Sequence, residues 1–326
     1  MNILILSSGT RNKVVEYFKR ELENKGKIVC TDCNPLAPSI YLADKHYIVP
    51  RIDDPNYLDI IKEICVKENI KAMFSLIDPE LSLISKHKNE FIDLGVIPFV
   101  SDYEQIKMSF DKFDFYEFCS KNNFPTVKSY KDINKFIDDF KLDKIKFPVF
   151  VKPITGSCSI NIQKIDNLND LKFNFNKYPD LMIQEFIEGQ ELGADVFIDM
   201  ISNEVISIFT KKKLLMRAGE TDKSVSFKDK KLFDLIKSFV SKAGFKGQID
   251  IDIFEVNGEY YLSEVNPRFG GGYPHAYECG CNFPNYMIKN MQGDANKPEI
   301  GEYEENIYMM KYLDLLIKKI NGDSLC

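Results

Sequence analysis

Two carboxylates and an amide on a strand hairpin make an oxygen-donor set of the kind that holds a hard divalent cation. In the stretch from Gln248 to Arg268, two runs of alternating apolar residues meet at Asn257-Gly258, the dipeptide that most strongly marks a tight hairpin turn. Counting outward from that turn brings Asp252 near Glu264 on the adjoining strand. Strand residues two apart face the same way, so Glu264 and Asn266 share a face. Three oxygen-bearing side chains then converge as Mg²⁺ requires, with phosphate oxygens and water filling the other positions. Arg268, just past the strand, carries a planar fork of donors suited to an anionic phosphate or substrate group. Taken alone, the pattern equally fits the solvated face of an ordinary hairpin.

Two other segments carry related chemistry. The buried-strand pattern Pro148 to Val151 delivers Lys152 to its end and gives way, after Pro153, to the small-residue loop Thr155, Gly156, Ser157, Cys158 and Ser159. Backbone N–H groups and an ammonium can surround phosphates there. The loop is neither a Walker-type G-x-x-x-x-G-K-[ST] sequence nor a G-x-G-x-x-G fingerprint, which counts against P-loop enzymes and dinucleotide-dependent dehydrogenases. Leu181 to Gly189 reads as a strand running into a short connection whose backbone could meet an adenine edge, or as an edge strand and turn. With only His46, His87 and His275 in the chain, no Ser/His/Asp or Cys/His arrangement offers a protein nucleophile.

The elements that must position these groups follow from periodicity. Ile3 to Leu6, the turn Ser7 to Thr10, and Val14, Val15, Phe18 and Leu22 at helical spacing predict strand, turn and helix. The alternation continues to about residue 108, as in a parallel sheet with helices on its faces. Ligands of such sheets bind beyond the strand carboxyl ends, here Ser7 to Arg11, Asp32 to Asn34, and Asp78 to Glu80. A carboxylate could dock at Ser8, Gly9 and Arg11 and an ammonium at Asp78 and Glu80, or all of these could be caps and turn residues. Beyond Asp111, strand candidates predict mixed α+β packing, and residues 306 to 320 fit either a strand or a helix. Gly270 to Gly272 would let backbone approach a ligand.

The composition is ordinary for 326 residues, 44% hydrophobic and 28% charged. A net charge of -6 gives no pull toward nucleic acid or anionic membrane, so small molecules are the expected partners. The chain opens directly into a strand without a signal-peptide pattern, contains no membrane-length apolar run, and scatters its eight cysteines. These features predict a cytoplasmic protein with reduced thiols. Cys30 and Cys33 lack a second pair at zinc-ribbon spacing.

In this order, Lys112, the Val-Lys152-Pro loop, Gln-Glu185-Phe-Ile, Asp252 and Glu264-Val-Asn266-Pro-Arg268 resemble the ATP-grasp superfamily. The likeness is closest to stand-alone proteins similar to one half of a carbamoyl-phosphate synthase large subunit. It implies an α/β and α+β chain: a Rossmann-like pre-ATP-grasp domain (1–108), then a two-lobed ATP-grasp fold with a small lobe or lid (109–188) and a large lobe (189–326). It implies ATP phosphates at Lys112 and Lys152, with the loop Thr155, Gly156, Ser157 and Ser159 over them. Gln184, Glu185, Phe186 and Ile187 would form the adenine hinge, and Glu191 or Asp195 would lie near the ribose. Asp252, Glu264 and Asn266 would ligate Mg²⁺, for which Mn²⁺ could substitute. Lys211 and Arg217, favoured within Thr210 to Thr221, would join Arg268 in neutralising the transferred phosphoryl group. The implied activity is an ADP-forming ligase joining a carboxylate to an amine. Alternatives are a kinase-like enzyme that releases the acyl phosphate and a regulatory nucleotide binder. With one grasp unit and no glutaminase segment, carbamoyl phosphate is not the expected product. Neither nucleic acid nor membrane is an expected partner, and a homodimer is allowed.

Overall fold

In the computed structural model, which describes residues 1–156 and 162–320, the N-terminal apolar run forms β1 (Asn2–Leu6), with Leu4, Ile5 and Leu6 fully buried. It lies at the centre of a parallel sheet with β2 (Ile28–Asp32), β3 (Lys45–Ile48), β4 (Ile70–Ser75) and β5 (Ile97–Pro98), in the order β3-β2-β1-β4-β5. Helices α1 (Asn12–Leu22), α2 (Tyr57–Lys67), α3 (Asp78–Lys86) and α4 (Lys88–Asp93) complete this unit. The strand order reverses between β1 and β4, so the crevice beyond their carboxyl ends opens at Ser7 to Arg11 and Ile77-Asp78. Cys30 is buried in this unit's core while Cys33 is exposed. Helices α5 (Tyr103–Phe110) and α6 (Lys112–Lys121) lead out, the carboxylate of Asp111 accepting from the N–H groups of Phe113 and Asp114 at 2.8 and 2.9 Å. That N-cap fixes Lys112 in the first turn of α6.

A second sheet, all antiparallel, takes β6 (Ser129–Tyr130), β7 (Val149–Pro153), β8 (Gln163–Ile165) and β9 (Leu181–Glu185) in the order β6-β9-β7-β8. Phe136 of α7 (Ile133–Lys141) and Leu171 of α8 (Leu168–Lys177) share a core with Val149, Val151 and Ile183.

The third sheet is also antiparallel and runs β14-β13-β10-β11-β12-β15, from β10 (Gln190–Ile198), β11 (Val205–Arg217), β12 (Glu220–Phe227), β13 (Gly247–Val256), β14 (Glu259–Asn266) and β15 (Tyr308–Met310). One face presents Leu192, Ala194, Val196, Ile251 and Ile253 to Leu232, Ile236 and Phe239 of α9 (Lys230–Ala243). The period of two then forces Glu191, Gly193, Asp195, Lys211, Lys213, Asp250 and Asp252 onto the opposite face. Helices α10 (Tyr273–Glu278) and α11 (Phe283–Met291) join this sheet to the first unit through one core containing Phe18, Phe74, Phe269, Tyr273 and Phe283. Residues 311–320 carry no regular structure, so of the ambiguous C-terminal pattern only Tyr308–Met310 is strand. Among the described residues no helix is long and apolar enough to cross a membrane.

Register within the β13–β14 hairpin decides the site. From the turn, Val256 pairs with Glu259 and the ladder runs regularly to Ile253 opposite Leu262. A bulge then skips Ser263 and sets Asp252 opposite Glu264 and Asp250 opposite Asn266. The extra residue lets Leu262 stay in the core while Glu264, two positions on, turns to the charged face.

Candidate functional site

The charged face of the third sheet, the end of β7 and the switch point of the first sheet enclose a cavity of about 420 Å³. Its walls include Lys112, Lys152, Lys213, Asp250, Asp252, Glu264, Asn266 and Arg268.

At the second sheet's end of the cavity, Lys152 Nζ donates to Gln184 Oε1 at 2.8 Å, and Gln184 in turn donates to Ser129 Oγ at 3.2 Å. Lys112 Nζ donates to the Gly156 carbonyl and lies 3.8 Å from Glu264. Its backbone N–H bonds the Ile154 carbonyl at 3.0 Å, tying the loop after β7 to the start of α6. Thr155 and Gly156 line the cavity; Ser157 and Ser159 lie outside the described residues. Burial pulls the Lys152 ammonium down to about 8 against the attraction of Glu264, with Lys112 adding to the depression. An anion seated beside it returns the pKa toward its ordinary value. ADP binding at pH 8 is therefore expected to take up a fraction of a proton, seen as a dependence of the calorimetric heat on buffer ionisation enthalpy. Lys152→Met should lose that uptake, and equal uptake in both proteins would place the titrating group elsewhere.

At the centre, Asp252, Glu264 and Asn266 meet on β13 and β14 as the register requires. Burial raises the Glu264 carboxyl, an effect that Lys112 and Lys152 oppose. Burial and the neighbouring Asp252 charge push Asp250 up to about 7. Lys213 Nζ bridges Asp252 at 2.6 Å and Glu191 at 2.8 Å. Gly193 makes this crossing feasible, since a Cβ there would come within 3.0 Å of the Lys211 side chain and 3.3 Å of that of Lys213. The set has the chemistry of a Mg²⁺ site, with carboxylate and amide oxygens and no sulfur or imidazole. Among the described residues no three His, Cys, Asp or Glu side chains are grouped as a metal cluster, and two carboxylates with an amide would leave positions for phosphate oxygens and water.

At the far end, Arg268 spends its fork on Asp78, with Nε 3.0 Å and Nη2 3.1 Å from the carboxylate, and Nη2 also reaches Asn266 Oδ1 at 3.2 Å. Asp78 therefore positions this arginine and is not set to receive an ammonium. Glu80 does not fill that role either: it is fully buried and accepts hydrogen bonds from Tyr57 and Ser75. Arg11 pairs with Glu220 at 2.9 Å, and both line the cavity.

Several expected positions lie elsewhere. Lys211 is buried in an ion pair with Asp195, which removes Asp195 from any ribose contact, and neither lines the cavity. Arg217 points outward at the β11–β12 turn, its side chain 64% exposed and 3.7 Å from Asp222. Gln184, Glu185, Phe186 and Ile187 run from β9 toward β10 just behind Lys152, to which Gln184 is hydrogen-bonded, with Phe186 under the Lys164 ammonium at 4.3 Å. Glu191 borders the site only through Lys213. Lys213, and not Lys211, lines the cavity. Alternation on β11 puts both on one face and Lys212 on the other, but nothing in a run of three lysines says which of the two reaches the cavity. Buried His275 bonds Ser224 Oγ at 2.8 Å and the Ile307 carbonyl at 3.0 Å, a structural tie between β12 and the chain before β15.

Residues 109–272 match the family model for the ATP-grasp domain, and residues 3–99 match the PylC-like, N-terminal domain. The chain is 30% identical over 201 residues to the carbamoyl-phosphate synthase of Methanobrevibacter smithii, covering 60% of this chain and 52% of that protein. It is 26% identical over 150 residues to the D-alanine--D-alanine ligase of Francisella tularensis subsp. novicida, covering 42% and 51%. The matches thus span about half the length of each relative. In fold it is similar to the biotin carboxylase domain of Hydrogenobacter thermophilus 2-oxoglutarate carboxylase, solved with MgADP, ADP and bicarbonate. The TM-score is 0.75 at 16% identity, over 94% of this chain and 73% of that one.

Proposed function

Because the chain belongs to the ATP-grasp domain family, we propose that it is an ADP-forming ligase that phosphorylates a substrate carboxylate and passes the acyl group to an amine. The observation that carries this reading is the convergence of Lys152, Lys213, Asp252, Glu264, Asn266 and Arg268 on one cavity between two sheets. Residues 1–108 act as the pre-ATP-grasp domain, 109–188 as the lid and 189–326 as the large lobe. Lys112 and Lys152 bind ATP phosphates, and Gln184 to Ile187 hold the adenine at the lid's hinge. Asp252, Glu264 and Asn266 would hold Mg²⁺, or Mn²⁺ in its place, which would supply countercharge to the phosphate oxygens. Lys213 and Arg268 stabilise charge on the oxygens in flight. Arg268 is pre-positioned by Asp78, so this guanidinium does not have to reorganise as that charge develops. The partners are small acids and amines in the cytoplasm.

Release of ADP from Mg-ATP, measured with pooled carboxylates in the presence and absence of pooled amines, tests the proposal. Stimulation requiring both pools is the expected result. Stimulation by acids alone would make the chain an acyl-phosphate-releasing enzyme, and ATP binding without stimulation would make it a nucleotide-binding regulator.

A further inference from the structure

The cavity described above continues into a second hollow. A groove of about 580 Å³ runs between α1, α10 and the chain from Ile307 to Leu313, and it shares Arg11, Glu220 and Gly271 with the first cavity. Its outer wall is apolar and open: Tyr308, Met310, Tyr312 and Leu313 are all exposed, Leu313 at 89%. Pro274 and Tyr17 face them across the groove. Apolar side chains gathered along a hollow that opens into a reaction site mark a place for a ligand's apolar part.

Resting on the ligase reading, we infer that this groove holds the body of the reacting acid, and that the acid is an aryl- or alkyl-substituted carboxylic acid. The geometry favours the acid because of where each reactant must lie. The nucleotide's phosphates belong at Lys112 and Lys152 and the metal at Asp252, Glu264 and Asn266, so the carboxylate that takes the phosphoryl group lies beyond them, toward Arg11 and Glu220. From there its body leaves past Gly271, against whose backbone the Arg11–Glu220 pair packs at the neck. A Cβ at that position would stand 2.7 Å from both the Arg11 guanidinium and the Glu220 carboxylate. Arg11 and Lys311, both paired with Glu220, place two cations at the neck beside the carboxylate head.

The chain contains no tryptophan, so Tyr308→Trp creates a single fluorescent reporter on the groove wall. With Mg²⁺ and ADP present, 4-phenylbutyrate and octanoate are expected to shift its emission to the blue, while acetate and succinate leave it unchanged. In the wild type, Mg-ATP with hydroxylamine as the acyl acceptor should give hydroxamates from the apolar acids. Met310→Glu and Leu313→Glu, both at exposed positions, should raise KM for those acids at least about tenfold. Hydroxamate formed as readily from acetate or succinate, and indifferent to the two substitutions, would overturn the groove's role and keep the ligase reading. A blue shift with the apolar acids but no ADP from any acid would keep the groove as an acid site and sink the ligase reading. An emission that shifts with protein concentration alone would mean that a second copy covers the groove, and the inference falls.

Discussion

Glu264→Ala is expected to lower Mg-ATP turnover at least about 100-fold while leaving the melting temperature at pH 7 unchanged or higher. The two halves of this expectation have one cause. Glu264 faces the cavity on the far side of the bulge, and burial raises its carboxyl while Lys112, 3.8 Å away, and Lys152 only partly offset that. A carboxyl whose folded pKa lies above its unfolded value contributes stability below the unfolded pKa, near 4.5, and loses it as pH rises through the folded value. Above the unfolded pKa this carboxyl is thus a cost to folding, and its removal relieves that cost. A residue that weakens the fold in its charged form and lines a cavity with Asp252 and Asn266 has its use in binding. Steady-state ADP release and thermal melts on the same preparation test both halves. Unchanged turnover would remove Glu264 from the site, and a large drop in melting temperature would make its role structural.

Much of the frame is legible from residue pattern alone, because burial writes itself as periodicity. The apolar run of β1 and the helical spacing of Val14, Val15, Phe18 and Leu22 give the strand, turn and helix that open the parallel sheet. Asn257-Gly258 announces the hairpin that carries Asp252, Glu264 and Asn266. What the pattern does not carry is register. A regular ladder from that turn would set Asp252 against Ser263, and only the bulge brings Glu264 opposite it. Partner choice among like charges is equally hidden. Lys211 and Lys213 have the same side chain and the same face, and their fates differ because Asp195 lies beneath one and Asp252 with Glu191 beside the other. Glu80 and Asp78 look like solvent-facing helix-start carboxylates in sequence. Their tertiary partners, Tyr57 with Ser75 and Arg268, come from segments that no local pattern connects to them.

The pairing of Lys213 leads to the second large effect. Its ammonium bridges Glu191 and Asp252, and Asp252 is one of the three oxygen donors assigned to the cation. Burial works against its charge, but Asp252, Glu191 and Asp250 outweigh it and hold the ammonium above its ordinary range, so it stays protonated at every working pH. Mg²⁺ entering alone must compete with a tethered cation. Mg²⁺ arriving with phosphates does not, because the lysine can turn from the carboxylate to a phosphate oxygen and keep a charged partner throughout. Lys213→Met removes this competitor and leaves Asp250 and Asp252 as neighbouring carboxylates with one fewer countercharge. In the variant, Mg²⁺ without nucleotide is therefore expected to raise the melting temperature by more than it does in the wild type, while kcat for ADP release falls about 100-fold or more. The paired readout separates this account from a simple loss of folding, which would lower activity and also weaken the response to Mg²⁺. A variant with normal turnover would show that Lys213 serves only to neutralise the sheet's acidic face.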